Sequence, residues 1–536
     1  MRQRTRDDSA MVTPSLRRTH GTPVAANAAI TTPWEGNPMH RTIQVTPLRS
    51  NRRLLWLALF AAGSAAAADI NPTLLDHRGA GTQDVLLVMD DQSTPLTTPL
   101  ASDSDYLLRR RILVANLIAR AEESQTDVRA WLDKRGIAYQ PYWIANVIQA
   151  QLPAQALDEL AQASRHSALG RVARVEPNPL LTTRLPELEA TPKAIEAVAT
   201  GVTRIRAPSV WSAGVRGEGV VIGGMDTGYQ WNHPALKPQY RGWNGSTANH
   251  NYHWHDAIHN ASGNTCGNNA AAPCDDNGHG THTAGTFAGD DGGSNQIGVA
   301  PRAKWVGRRN MAAGLGTPAR YIECLQWMLA PTNLANASPN PDLAPDVTSN
   351  SWGCVASEGC TTGNEIKTAV DNLVAGGVVV VAAAGNDGSA CSTIHDPPAI
   401  YASAFVVGAT GTTSDSLASF SSRGPVIGSS TIKPDLSAPG VSVRSSIRNS
   451  SYGSMSGTSM ATPHVAGVVA LMMSAKPSLK GNPTLVAQLL RQSVVSATVP
   501  FSQTCGGTTS GVRPNHMVGH GRIDAWLAYQ AAINSP

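Results

Sequence analysis

The chain has 536 residues, 49 of them Gly and 35 Pro, with 41% hydrophobic and 15% charged residues. That is too long for one ordinary domain, too apolar for a disordered chain, and ample for a large core with a smaller satellite domain. Residues 1–68 hold nine Arg against three acids, a charge of +6, so the rest of the chain carries −2 of the net +4 and a basic nucleic-acid-binding body is excluded.

The first element in chain order is a leader. Arg49, Arg52 and Arg53 precede the apolar run LLWLALFAAG and small residues ending in Ala66, Ala67 and Ala68. A basic region, a short apolar region and an Ala-x-Ala site mark a secretory signal. The apolar run falls short of the roughly 20 residues of a membrane span. A start at Met39 gives a signal of about 30 residues, with residues 1–38 upstream of it. Residues 1–68 are therefore assigned as leader and signal peptide. The product is expected outside the cytoplasm, extracellular or periplasmic, with no membrane span after signal removal.

Residues 69–180 predict a small α+β unit. DVLLVM (84–89) reads as a strand, 105–136 as a helix ending at Gly136, and 142–153 as an alternating strand. A short helix over 154–164 and a strand over 170–178 follow. With an extra strand at IAYQ (137–140), this order fits a ferredoxin-like sandwich. Residues 180–201 carry Pro and Thr without periodicity and read as a linker or processing region.

From about residue 205, buried-type strands alternate with helices. Strands are predicted over 219–225, 303–309, 346–352, 377–385 and 404–410, and helices over 317–330, 363–377, 458–475 and 482–495. Continuous Val/Ile/Ala strands between helices indicate a parallel sheet covered on both faces. Active sites in such folds lie outside the carboxyl ends of the strands.

Three chemically competent residues stand near such ends. Asp226 follows the strand 219–225, His279 opens the run His-Gly-Thr-His-Thr-Ala-Gly at a helix start, and Ser459 sits in Gly457-Thr458-Ser459-Met460-Ala461 at the start of another helix. Nucleophilic serine chemistry needs a hydroxyl, an imidazole base and a carboxylate that fixes the imidazole. Helix-start N–H groups near Ser459 suit an oxyanion, and the Asn386 amide offers a second donor.

The order Asp226, His279, Ser459 with these flanks resembles the subtilisin family of serine peptidases over about residues 205–530. The resemblance implies a subtilisin-like α/β fold, with Asp226 as triad carboxylate, His279 as general base, Ser459 as nucleophile and Asn386 as oxyanion residue. It further implies that Ser351, Trp352, Gly353, Ala383, Ala384 and Gly385 line the substrate cleft. The implied activity is that of a secreted serine endopeptidase working through an acyl-enzyme and made as a self-processing zymogen. Residues 69–185 would be the inhibitor and chaperone propeptide, and residues 186–536 the peptidase domain. Partners are then polypeptide substrates and the chain's own propeptide, with no nucleic acid, for a monomer. No cofactor is required for the chemistry. Structural calcium is common in the family, and Asp275-Asp276 and Asp290-Asp291 are hard-oxygen candidates weighed against ordinary turns, with no site assigned. His395-Asp396 aligns with the base of the pocket for the residue preceding the cleaved bond, where a charged floor makes the pocket more polar.

Rival readings separate on sequence. An α/β-hydrolase needs Gly-x-Ser-x-Gly and the order Ser, Asp, His, neither of which is present. The alternative is a catalytically silent secreted binding protein on a peptidase fold. His282 reads as a packed helix residue. The group His250, His253, His255, Asp256 and His259 reads as an exposed Trp-rich loop rather than a zinc site, since no His-Glu-x-x-His accompanies it.

Seven cysteines, all beyond the signal, suit an oxidising compartment. Cys266–Cys274 and Cys354–Cys360 are the sequence-local pairs. Neighbouring sheet elements favour Cys324–Cys391 as the third, leaving Cys505 odd, although Cys505 can instead pair with either.

Overall fold

The computed structural model describes residues 68–76, 81–92, 105–164, 167, 169–189, 197–354 and 364–536. The signal expected before Ala68 and the predicted bridge partner Cys360 lie outside the described residues.

The satellite unit contains β1 (Asp69–Ile70), α1 (Pro72–Asp76), β2 (Thr82–Met89), α2 (Tyr106–Lys134), β3 (Tyr139–Tyr142), β4 (Val147–Pro153), α3 (Ala154–Gln162) and β5 (Val172–Pro177). Its sheet runs β1-β5-β2-β4-β3, so the last four strands form the ferredoxin-like arrangement the periodicities predict. Helix α2 begins where the Asp105 side chain accepts from Leu108 N at 2.9 Å, and Gly136 with φ 63° lets the chain leave it. The strand predicted over 142–153 is broken. Trp143 N and Ile144 N donate to Gln326 Oε1 of the large unit (2.7 and 3.2 Å), which takes both donors out of the ladder. Asn146, at φ 46°, turns the chain back into β4.

Strand β2 explains its own unbroken apolar run. Val85, Leu87 and Met89 face a core shared with Val128, Leu132 and Leu157, while Leu86 and Val88 face the opposite way. The second set packs with Leu113, Leu117, Tyr142 and Ile144 against Ile322, Leu325, Ala369, Val370 and Leu373 of the large unit. A strand buried on both faces has no polar side to present.

After β6 (Leu181–Thr182) the large unit contains α4 (Thr200–Arg204), α5 (Ala207–Ser212), β7 (Val221–Asp226), β8 (Trp254–Asp256), α6 (His279–Ala288), β9 (Lys304–Arg309), β10 (Leu315–Gly316), α7 (Pro318–Leu329), β11 (Val347–Asn350), α8 (Asn364–Ala375), β12 (Val379–Ala383) and β13 (Phe405–Gly411). It continues with β14 (Leu436–Val441), β15 (Val443–Ile447), β16 (Ser451–Met455), α9 (Thr458–Ala475), α10 (Pro483–Gln492), β17 (Val494–Val495), β18 (Thr504–Cys505), β19 (Thr508–Thr509), β20 (Arg522–Ile523) and α11 (Ala525–Ile533). The main sheet runs β17-β20-β14-β13-β12-β11-β7-β9-β8 and is parallel except for the terminal β17–β20 pair. Strands later than β7 are laid down on both of its sides, so the topological switch lies at β7, whose last residue is Asp226. Helix α9 is apolar nearly all round because it is packed all round, against the sheet strands β13 and β14 and the helices α6 and α11.

Two expectations are corrected. The third bridge is Cys391–Cys505, with Cα atoms 5.4 Å apart, not Cys324–Cys391. Among the described residues Cys324 is the free thiol: it lies on the inward face of α7, fully buried, while Cys391 sits on a loop facing the β18–β19 hairpin. Cys266–Cys274 is present (Cα–Cα 5.8 Å), and Cys354 is also disulfide-bonded. The second correction concerns residues 254–258, expected in an exposed loop. They are buried, with β8 forming an edge of the main sheet. Among the described residues no helix is long and apolar enough to cross a membrane.

Candidate active site

Asp226 ends β7 at the switch point and is 1% exposed. Its Oδ1 lies 2.7 Å from His279 Nδ1 and also accepts from Thr227 N at 2.7 Å, while Oδ2 accepts from Thr283 Oγ1 at 3.3 Å. These bonds point one carboxylate edge at the imidazole and fix the protonated nitrogen of a neutral ring as Nδ1. His279 Nε2 is buried and makes no hydrogen bond among the described residues, so it is left as the basic nitrogen.

The residue that places His279 is Asp275, which the sequence offers as a calcium candidate or a turn residue and not as a helper of the triad. Asp275 is buried, and its carboxylate accepts from Thr227 Oγ1 (2.9 Å), Asn277 N (3.0 Å), Gly278 N (2.7 Å), Thr281 N (2.9 Å) and Thr281 Oγ1 (2.5 Å). It therefore caps α6 and ties that helix to the segment following Asp226. An Asp four residues before His279, ahead of a helix start, is the signal that could have revealed it. Gly280 allows the two segments to touch: a Cβ there would stand 2.1 Å from Gly228 O and 3.0 Å from Asp226 Cβ. Asp276 accepts from Ala313 N and faces Arg309, and Asp290 and Asp291 accept from amides of their own turns. Those carboxylates are engaged in turn chemistry.

Ser459 lies in the first turn of α9, 5% exposed, where backbone N–H groups have no intrahelical acceptor. Asn386 follows β12. Its Oδ1 accepts from Thr458 N (2.8 Å) and Thr458 Oγ1 (3.0 Å), which leaves the Nδ2 amide hydrogens for the cleft. Ser351 Oγ donates to Ser459 O at 3.0 Å, bracing the same turn from the β11 side. The two pairs, Asp226–His279 and Ser459–Asn386, are not joined by a hydrogen bond in this structure.

Ser459 and Asn386 line a cavity of about 510 Å³ whose walls are Ser351, Trp352 and Gly353 on one side and Ala383, Ala384 and Gly385 on the other. All six predicted cleft residues are brought there. Trp352 stacks on Tyr321 with centroids 4.2 Å apart, which fixes one wall. Asp387, His395 and Asp396 also line it, Asp396 beside Gly353. The possible ligand atoms of these three all lie within 4.8 Å of one another.

The cleft also holds chain from the linker. Strand β6 pairs antiparallel with β10, Thr182 opposite Leu315 and Leu181 opposite Gly316, and Thr183 N donates to Gly314 O at 2.9 Å. Beyond the cavity, Leu188 bridges Met455, Glu189 N donates to Ser454 O, and the Glu189 carboxylate accepts from Ser442 and Ser456 hydroxyls at 2.8 Å. The segment read as a linker or processing region is thus held by pairing with β10 and with β16.

The imidazoles outside this site have structural partners. Burial holds His282 down at about 3, where it is neutral and donates from Nε2 to Val443 O at 2.9 Å. His250 pairs with Tyr240, His253 with Arg241, and Asp256 with Arg309. His255 and His259 converge on Glu323, which also accepts from Tyr142 of the satellite unit at 3.3 Å. Burial alone would raise Glu323, but the hydrogen bonds from the two imidazoles outweigh it and hold the carboxyl well below its usual range.

Comparison with known proteins gives a match to the model described as the subtilase family over residues 217–521. Bacillopeptidase F of Bacillus subtilis (strain 168) is 35% identical over 456 residues, covering 81% of this chain and 29% of that protein. Subtilisin E of the same strain is 34% identical over 291 residues, 53% of this chain and 63% of its own. Subtilisin of Bacillus pumilus is 33% identical over 291 residues, 53% of this chain and 87% of its own.

Proposed function

The chain belongs to the subtilase family, and from that premise we propose that it is a secreted serine endopeptidase made as a self-processing zymogen. In this reading His279 Nε2 takes the proton of Ser459 Oγ as the oxygen attacks a peptide carbonyl. Asp226 holds the ring and stabilises its cation. The oxyanion is met by the Ser459 N–H and the Asn386 Nδ2 amide. The amine leaves with the proton from His279, and water then hydrolyses the acyl-enzyme. Subtilases need no cofactor for catalysis.

The observation that carries the reading is the buried 2.7 Å Asp226–His279 contact, which leaves Nε2 without a partner in the same structure that sets Ser459 and Asn386 in one cleft. The zymogen part is supported by the satellite sheet packed on α7 and α8 and by the strap of residues 181–189 across the cleft. Secretion is supported by the signal pattern and by the disulfides.

Ser459→Ala should abolish casein hydrolysis and fluorophosphonate labelling and should leave the precursor uncut. Hydrolysis by that variant at the unsubstituted rate rejects the assignment, and an unlabelled Ser459 in the folded unsubstituted protein favours the silent binding protein. Asn386→Leu should lower turnover by about 10²–10³, a magnitude taken from removing such a donor in a subtilisin rather than worked out from this chain.

A further inference from the structure

We propose that the bond the chain presents to its own nucleophile is Arg184–Leu185, and that the cavity beside Ser459 is built for a basic side chain preceding the cut. The proposal rests on the endopeptidase reading above and adds to it both a cleavage site and a substrate class.

The register of the strap fixes the bond. Thr183 is the last residue held on the β6 side, through its N–H to Gly314 O and its hydroxyl to Gly353 O at 3.5 Å. On the other side, a Cβ built on Gly457, two residues before Ser459, would stand 2.6 Å from Pro186 Cγ and 3.6 Å from the Asn386 amide. The chain therefore passes the nucleophile between Thr183 and Pro186. Three bonds remain. Thr183–Arg184 follows directly on a residue held by Gly314 and Gly353, and Leu185–Pro186 is a tertiary amide whose ring replaces the N–H and crowds the attacked carbonyl. Arg184–Leu185 is the ordinary peptide bond between them, and Arg184 lines the cavity together with Ser459 and Asn386.

The cavity's chemistry agrees independently. Its lining carries two carboxylates, Asp387 and Asp396, with His395 between them at 3.4 and 3.5 Å. The Asp396 side chain is the less exposed of the two, at 16%, and a paired carboxylate lining of this kind favours a guanidinium or ammonium over an aromatic ring. One chain thus supplies both an acidic cavity lining and, at the position preceding the proposed cut, an arginine that lines the same cavity.

The step balances as ordinary hydrolysis. Ser459 Oγ bonds to the Arg184 carbonyl carbon while its proton passes to His279 Nε2. The C–N bond to Leu185 then breaks, and the Leu185 nitrogen takes that proton. Water releases Arg184 as a free carboxylate and restores Ser459.

The test is made on the full chain and on its matured form. N-terminal sequencing of the processed protein should give Leu185. Matured protein offered peptides spanning residues 178–189, with Arg, Lys, Leu, Glu or Phe at position 184, should cut the Arg and Lys peptides at least ten-fold faster in kcat/KM than the others. Asp396→Asn should lower the Arg-to-Phe ratio of kcat/KM at least ten-fold, and the Asp387→Asn variant gives a second reading should the first fail to fold. Fluorophosphonate labelling of Ser459 is scored in parallel. Labelled, active protein with another N-terminus overturns the cleavage site, and a flat or Phe-favouring peptide series overturns the basic pocket. Absence of labelling overturns the endopeptidase reading beneath both.

Discussion

Asp275→Ala removes the acceptor of five hydrogen bonds at once. Asn277 lies at the surface, where its amide finds water, but the Gly278 and Thr281 amides and the Thr227 and Thr281 hydroxyls are buried. A buried polar group left without its partner costs about 1–3 kcal/mol, and neighbouring losses do not add fully, so the variant should lose about 3–5 kcal/mol. Asp275→Asn keeps one oxygen acceptor and the shape of the side chain and should lose about half of that. The measurement is urea unfolding in a Ser459→Ala background, where the protein does not digest itself, with amide exchange over residues 275–288 as the local readout. The same substitution in the otherwise unsubstituted protein should lower kcat/KM by about 10², the cost of displacing a catalytic group by about 1 Å. A loss below about 1 kcal/mol, with exchange in α6 unchanged, would refute the claim that Asp275 sets the position of His279.

The Cys391–Cys505 bridge closes a span of 114 residues against 8 for Cys266–Cys274. On the chain-entropy account, replacing both cysteines by Ser should cost up to about 5 kcal/mol for the long loop and about 2.5 for the short one. Non-reducing peptide maps should contain the Cys391–Cys505 peptide, with Cys324 alkylated only after unfolding; a Cys324 cross-link contradicts this. The hydrogen bond to Glu323 raises His259 to about 9 in the folded protein, so its contribution is complete below about 6.5 and is lost as pH rises through about 9. Because His259 is 40% exposed, solvent screening cuts the effect to about 1 kcal/mol. The stability difference between Ser459→Ala chains with and without His259→Gln should shrink over that window, and a pH-independent difference would count against the pairing.

Strands with unbroken apolar runs and helices with clean caps were legible from sequence, as β2, β12, α2 and α7 illustrate. Elements whose existence depends on neighbours were not. Strand β14 contains Pro439, the β15–β16 hairpin is rich in Ser, and β8 reads as polar because His255 and Asp256 are buried only through Glu323 and Arg309. Asp226, His279, Ser459 and Asn386 stood out because small residues and turns isolate them. Asp275 did not, since a carboxylate before a helix start looks the same whether it caps a helix or waits for a cation. The pairing of residues 181–189 was not legible for a related reason: they have no periodicity of their own and take their extended form from β10 and β16.

Leu86, Val88 and Ile144 share a core with α7 and α8, so on the proposed zymogen reading the satellite sheet would act as a ligand that happens to be attached. Attachment gives it an effective concentration of the millimolar order that a short flexible tether supplies. The proposed cut at residue 184 would abolish that advantage without altering a single contact in the shared core. Occupancy would then follow the total protein concentration, with the cleft covered where the chain is dense and uncovered on dilution. The same apolar face would thus report whether the molecule is still crowded near its source or has dispersed from it.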